Sequence, residues 1–516
     1  MNLSRLRKIR IVVSLLFFFS VSFLFLDIFN LVPASYFKPV LYFQFVPSLL
    51  SFLKLFGLLS TGFIAVLIFT GLFGRVYCSS VCPLGTLIDI LNRLKKRKKK
   101  IQKFTFTKPF NMIRYSILVL IIFTLISGTN FGLIFFDPYS NYGKITNSIF
   151  KPLLISINNF ANSNLEKLGI FLLTPIEFTG VEFTALIFAI VLFMIVLILS
   201  YSNGRLFCNS ICPVGSLLGL ISKFSLYKIS INEETCLECG SCEKYCKAGC
   251  IDSKNKFIDF SRCISCFDCF DSCPTSGLKY ESVFSKKKIN KPAESKRYFI
   301  KSLGLFSIGF MGFQNLKKVS VYVKSKLSDA KENYSTPPGS KNSESYSSNC
   351  TACHLCVSVC PTQVLQPSFL EFGVFNMLTP FMNYRKGYCN YDCQKCSDVC
   401  PTGAITSLNL EKKKLVQIGI AKFIKDNCVV YTQKTDCGAC AEHCPTKAVH
   451  MEPENNLRVP KVEEEICIGC GACEHACPTV PYKAIYVEGN LNHKTAKKPN
   501  IKKVEQKINL KEEFPF

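Results

Sequence analysis

Most of the 29 cysteines fall into six runs of four, and the spacing inside each run gives them a chemistry. Cys236, Cys239, Cys242 and Cys246 read C-x2-C-x2-C-x3-C. Cys263, Cys266, Cys269 and Cys273 repeat it before Pro274. Cys350, Cys353, Cys356 and Cys360 repeat it before Pro361, and Cys467, Cys470, Cys473 and Cys477 before Pro478. Cys389, Cys393, Cys396 and Cys400 open one residue wider, and Cys428 stands apart from Cys437, Cys440 and Cys444. Three close thiolates in one loop wrap three irons of a [4Fe-4S] cluster, and the fourth thiol commonly serves the neighbouring cluster. A disulfide scaffold has no reason to repeat this spacing. Zinc ribbons pair two C-x2-C units across a gap. The expectation is about six [4Fe-4S] clusters and a role in moving electrons.

A second, sparser cysteine pattern lies upstream. Gly74-Arg75-Val76-Tyr77-Cys78-Ser79-Ser80-Val81-Cys82-Pro83 is matched 130 residues later by Gly204-Arg205-Leu206-Phe207-Cys208-Asn209-Ser210-Ile211-Cys212-Pro213. On a helical path C-x3-C puts both sulfurs on one side, so pseudo-symmetric packing would gather Cys78, Cys82, Cys208 and Cys212. Two readings stand: one shared metal or cluster site, or two separate redox-active or structural pairs at Cys-Pro turns. Cys250 is extra, either a small buried hydrophobe or an alternative ligand. Cys350-Thr351-Ala352-Cys353-His354 also matches the haem-attachment pattern C-x-x-C-H, but Cys356, Cys360 and Pro361 complete the cluster run.

The elements that must hold these residues are partly apolar. Four stretches, roughly 11–31, 55–73, 116–136 and 183–200, are long enough to cross a bilayer, which takes ~20 residues. The formal charge of +26 is concentrated beside them, at Arg5–Arg10, Arg93–Lys100 and Lys286–Lys288. Such placement marks the cytoplasmic side of a membrane protein rather than a nucleic-acid surface. The C-x3-C-P motifs and the Cys236–Cys273 pair of runs are then expected at the cytoplasmic face. Asp27, Asp137, Glu177 and Glu182 are expected at the outer face. A shorter apolar run, Ser302–Phe313, follows Ser295-Lys296-Arg297-Tyr298-Phe299-Ile300-Lys301. This resembles the twin-arginine export motif, with Lys296 before Arg297, and predicts an uncleaved signal anchor that delivers the last four runs to the periplasm.

The expected organisation is multidomain: a helical membrane domain at 1–225 with four spans, a signal-anchor-like fifth segment, and ferredoxin-like α+β [4Fe-4S] modules. A two-cluster module occupies 226–285, the leader 286–320 and a flexible linker 321–348. A four-cluster module follows at 349–490, then a charged tail at 491–516. Crossed ligation predicts Cys236, Cys239, Cys242 and Cys273 on one cluster and Cys263, Cys266, Cys269 and Cys246 on the other. In the last module, pairing in sequence and nested pairing are both open.

These motifs, in this order, resemble a known pair. Residues 1 to about 285 are similar to NapH-type membrane polyferredoxins, and residues from about 295 on resemble NapG-type exported ferredoxins. The resemblance implies a bacterial inner-membrane, multi-pass fusion acting as a quinol dehydrogenase component. It would take electrons from the quinone pool, with quinol as substrate, to a periplasmic reductase of the nitrate-reductase kind or a c-type cytochrome. Related proteins also imply competing roles: accessory reductase for copper or nitrous oxide reductase assembly, or a wholly cytoplasmic-facing link between ferredoxin and quinone. All five histidines lie beyond the spans, so no histidine-ligated haem is expected within the membrane.

Overall fold

The computed structural model describes residues 3–55, 61–98, 104–180, 182–232, 234–275, 277–283, 331, 333–369, 371–454 and 457–498. Lys296, Arg297, the apolar run after them and the tail beyond 498 lie outside these residues.

The first half is helical. Its elements are α1 (Leu3–Leu26), α2 (Phe37–Leu41), α3 (Phe45–Leu55), α4 (Gly62–Phe73), α5 (Val76–Ser80) and α6 (Pro83–Lys98). They continue as α7 (Asn111–Ile126), α8 (Phe131–Phe136), α9 (Pro138–Ile145), α10 (Lys151–Lys167), α11 (Phe183–Asn203), α12 (Leu206–Ser210) and α13 (Pro213–Ser222). Among the described residues two stretches are long and apolar enough to cross a membrane, Arg5–Leu26 and Phe183–Asn203. The other two expected spans are shorter as helices. α4 and α7 measure about 18 and 24 Å at 1.5 Å per residue. The chain turns early in both places. Tyr42 Oη lies 2.9 Å from Thr61 Oγ1, and Ser48 Oγ accepts the Phe63 N–H, so α3 and α4 pack as a pair. α7 stops at Gly128, whose φ of 72° suits glycine.

The expected repeat is visible as structure. α4 and α11 each end on a glycine at positive φ, Gly74 and Gly204. Each is followed by a five-residue helix carrying the first cysteine, then by the second cysteine and a helix beginning at proline. Proline fits there because the first helical N–H needs no intrahelical acceptor.

Two α+β modules flank the helical domain. In the first, β1 (Tyr227–Ile231) pairs antiparallel with β4 (Leu278–Ser282), and β2 (Ile251–Asp252) with β3 (Phe257–Ile258). It seats against the N-terminal end of α1 through charge. Asp268 takes Arg7 Nε at 3.0 Å and Lys247 Nζ at 2.7 Å, while Asp89 of α6 takes Arg205 at 3.0 Å and Arg10 at 3.4 Å. The second module contains β5 (Leu365–Pro367) with β6 (Pro380–Met382) and β8 (Val449–Glu454) with β9 (Leu457–Val462). β7 (Val416–Phe423) pairs with β10 (Ile485–Thr495). This module seats at the other end of α1, where Phe25 and the Cys353 carbonyl both crowd Gly143 of α9. Lys54 and Lys151 donate to the carbonyls of Gly403 and Ser358, and Asn383 donates to Glu182 at 3.1 Å.

Two domain boundaries need correction. The expected linker is built into the second module from residue 333 onward. Thr336 and Ser340 are fully buried, Met382 donates its N–H to Ser335 O at 3.0 Å, and Asn342 bridges Asn492. A Ser- and Pro-rich segment supplies small side chains and many polar partners, which suits a strap as well as a linker. The tail likewise starts later than residue 491. β10 runs to Thr495, and Ala496 donates to Leu415 O at 2.8 Å.

Candidate iron–sulfur sites

The cysteine runs of the first module interleave. One cavity is lined by Cys246, Cys263, Cys266 and Cys269, so the last thiol of one run joins the first three of the next. Cys242 has Cys236, Cys239 and Cys273 as its thiol neighbours. Cys250 lines the first of these cavities too, its sulfur 3.5 Å from that of Cys246. It is a fifth thiol at that site rather than a distant core residue. The two sites differ in access: Cys239 is exposed, whereas Cys246, Cys263 and Cys269 are buried.

The second module pairs its runs in sequence, not nested. Cys350, Cys353 and Cys356 have Cys400 as their partner from the next run, and Cys389 and Cys396 have Cys360. Cys428, Cys437, Cys440 and Cys477 surround a second cavity. The displaced Cys428 is thereby brought back beside its own run. Cys467, Cys470 and Cys473 have Cys444. Backbone N–H groups point at several of the sulfurs: Ala352 at Cys350, Ile405 at Cys400 and Gly277 at Cys273, at 3.2–3.4 Å. Such donors stabilise a thiolate that shares its charge with iron.

His354 is held against the backbone through one ring nitrogen. Its Nε2 lies 3.0 Å from the Leu378 carbonyl, and burial, with Lys144 nearby, lowers its pKa to about 3. A neutral ring tied to backbone fits the cluster reading of that run. Asp268 is also shifted down: burial opposes this, but Lys247 and Arg10 outweigh it.

The four thiols of the C-x3-C-P repeat meet. Cys78, Cys82, Cys208 and Cys212 line one apolar cavity together with Tyr77, Pro138 and Phe207. All four are buried in the helical domain. Asp137 is also fully enclosed. The apolar α8 carries the chain inward, and Asp137 then caps α9, accepting the Ser140 N–H at 2.9 Å and hydroxyl at 2.6 Å. Asp27 instead caps a turn at Leu31 and Val32, and the Glu177 carbonyl accepts from Gln363.

The two repeats are reciprocal. Arg75 reaches its own Cys78 sulfur at 3.8 Å and the Cys208 carbonyl at 3.2 Å. Arg205 reaches its own Cys208 sulfur at 3.7 Å and the Cys78 carbonyl at 2.9 Å. Gly85 and Gly215 donate their N–H groups to Cys82 and Cys212, both at 3.4 Å. A Cβ at Gly85 would lie 2.6 Å from Arg205, and one at Gly215 2.8 Å from Arg75. Each repeat therefore leaves room for the other's arginine.

The comparisons with known proteins fall on these same segments. The family described as 4Fe-4S binding domain matches residues 55–102 and again 185–232, one copy over each C-x3-C-P motif. Another 4Fe-4S binding domain matches 233–249, and 4Fe-4S dicluster domains match 255–361, 349–405 and 433–480. The chain is similar to ferredoxin-type proteins of the NapG kind. NapG of Escherichia coli is 28% identical over 35% of this chain and 80% of its own length. The methylamine utilization ferredoxin-type protein MauM of Methylobacillus flagellatus is 32% identical over 26% of this chain and 59% of its own. The uncharacterized protein MJ0749 of Methanocaldococcus jannaschii is 27% identical over 41% of this chain. The alignment spans 66% of MJ0749, just under two thirds. No solved structure matches the chain. With several 4Fe-4S domains and cysteine sites to match, this is an iron–sulfur electron-transfer protein related to NapG and MauM.

Proposed function

We propose that the chain is a membrane-bound carrier that passes electrons from quinol to a periplasmic acceptor, either a reductase of the nitrate-reductase kind or a c-type cytochrome. The observation that carries this reading is the seating of two cysteine modules at opposite ends of one helix. Arg7 of α1 pairs with the first module, and Phe25 packs where the second begins. Those residues are about 27 Å apart along the axis, close to the thickness of a bilayer core. In this reading the first module faces the cytoplasm and the second the periplasm, in the inner membrane.

Six [4Fe-4S] clusters, when bound, supply reversible one-electron transfer. The chain contributes the rest. Crossed thiols from two runs fix neighbouring sites close together. Backbone N–H groups and burial set how readily each thiolate set accepts charge. The exposed Cys239 leaves one end of the series open to solvent-borne redox partners.

Rapid mixing of purified protein with a menaquinol analogue tests the quinol step. Bleaching of the visible cluster absorbance is expected, and none would remove quinol as donor. Protease added to spheroplasts tests the sidedness. Cleavage within 333–498 is expected, and full protection would place the second module in the cytoplasm.

A further inference from the structure

Resting on that reading, we propose that Cys78, Cys82, Cys208 and Cys212 jointly hold a seventh iron–sulfur cluster, and that it is the station through which electrons pass between the two modules.

Neither repeat can hold a four-iron cluster alone, since each carries two cysteines. The fold supplies the other two thiols from the second repeat. All the cysteines are free thiols rather than disulfides. The four thiols line one cavity, as the thiols of two of the ferredoxin sites do.

Charge gives an independent argument. Arg75 is completely enclosed, and among the described residues no carboxylate pairs with it. Its partners are the Asn209 side chain, the Ser261 and Cys208 carbonyls and the Cys78 sulfur. A buried guanidinium facing neutral thiols would be a costly unpaired charge. Four thiolates around an iron–sulfur core carry the negative charge that it lacks. The N-termini of α6 and α13 add their N–H groups and dipoles on the same side.

Position makes the site a station. Ser14 of α1, 2.9 Å from Thr86, marks its level. That is ~10 Å along the helix from Arg7 and ~16 Å from Phe25. Towards the first module, Arg75 donates to the Ser261 carbonyl, and the Asn209 side-chain amide and the Arg205 N–H donate to the carbonyls of Ala248 and Lys247 beside Cys246. Towards the second, Pro138 lines the cavity, Tyr139 packs on Phe25, and Gly143 abuts the Cys353 carbonyl. One electron leaves a reduced cluster in one module, reduces the cluster at the four thiols, and leaves again to an oxidised cluster in the other. No bond is made and no proton is moved.

Iron and acid-labile sulfide counted on the full-length chain test the site. About 28 irons are expected, and about 24 would overturn it. The Cys78→Ala/Cys208→Ala chain is expected to hold about four fewer irons, and an unchanged count would also overturn it. The wild-type count stands by itself if that variant fails to fold. The station role is read in proteoliposomes with dithionite outside and ferricyanide inside. Wild type is expected to reduce ferricyanide, and the double variant roughly tenfold or more slowly. Equal rates would overturn the relay. No quinol enters either measurement, so failure of the quinol step leaves this result intact.

Discussion

Arg75 and Arg205 are both fully enclosed, yet they are held differently. Arg205 is paired with Asp89, which also meets Arg10 and Lys247. Asp89 is thus the counter-charge for three cations from α1, α12 and the first module. Replacing it by Asn leaves Arg205 buried without a carboxylate partner, and leaves Arg10 and Lys247 with Asp268 alone. The expected loss is about 3–5 kcal/mol, read as a lower unfolding midpoint of the detergent-solubilised chain. His493 offers a cleaner pH effect. Burial lowers its pKa to about 4, and its Nε2 lies 2.9 Å from Thr336 Oγ1. The unfolded ring titrates near 6.5, so the folded pKa is depressed. Its contribution is complete above pH ~6.5 and is lost as pH falls towards the folded value, at up to ~1.4 kcal/mol per pH unit. His493→Gln is expected to flatten the acid limb of stability in that window, measured by denaturant unfolding of matched samples.

At the scale of elements, contact is controlled by glycines. Gly143 of α9 has no room for a side chain between Phe25 and the Cys353 carbonyl. Gly143→Leu is expected to force the second module off α9, at about 1–3 kcal/mol. Faster limited proteolysis between 331 and 349 would report this while the iron count stays unchanged. Equal proteolysis would show that the seat tolerates the larger residue. The cysteine sites were legible in sequence because the spacing that wraps a cluster is local. Crossed partners such as Cys273 and Cys246 follow from the same local rule. The meeting of Cys78 with Cys208 was legible as one of two outcomes, since the repeat implied symmetry but not contact. What could not be read was the enclosure of Asp137, whose carboxylate caps α9 at Ser140 while Pro138 lines the four-thiol cavity. The strap at 333–348 escaped for a related reason: Ser, Asn and Pro look like a linker until β10 and Ser335 are known to be neighbours.

For the molecule as a whole, the seating of the second module rests on few polar ties. Lys54 and Lys151 reach from the helical domain to Gly403 and Ser358, and Gln363 and Asn383 reach back to Glu177, Thr179 and Glu182. Removing both lysines is expected to weaken the seat by roughly 1.5–3 kcal/mol for each charged hydrogen bond lost. Crosslinking between the helical domain and the second module should fall, while the visible spectrum remains that of wild type. An unchanged crosslinking yield would assign the seat to apolar packing alone. The helical domain itself is two similar halves, and the reciprocity of Gly85 with Arg205 and Gly215 with Arg75 has a bearing on its ancestry. What one half offers, the other accepts in the same way, as in a two-fold symmetric dimer whose single surface is complementary to itself. A four-thiol site of this kind requires one motif used twice, and not two different motifs. Duplication and joining of a single half-length gene would be sufficient to create it.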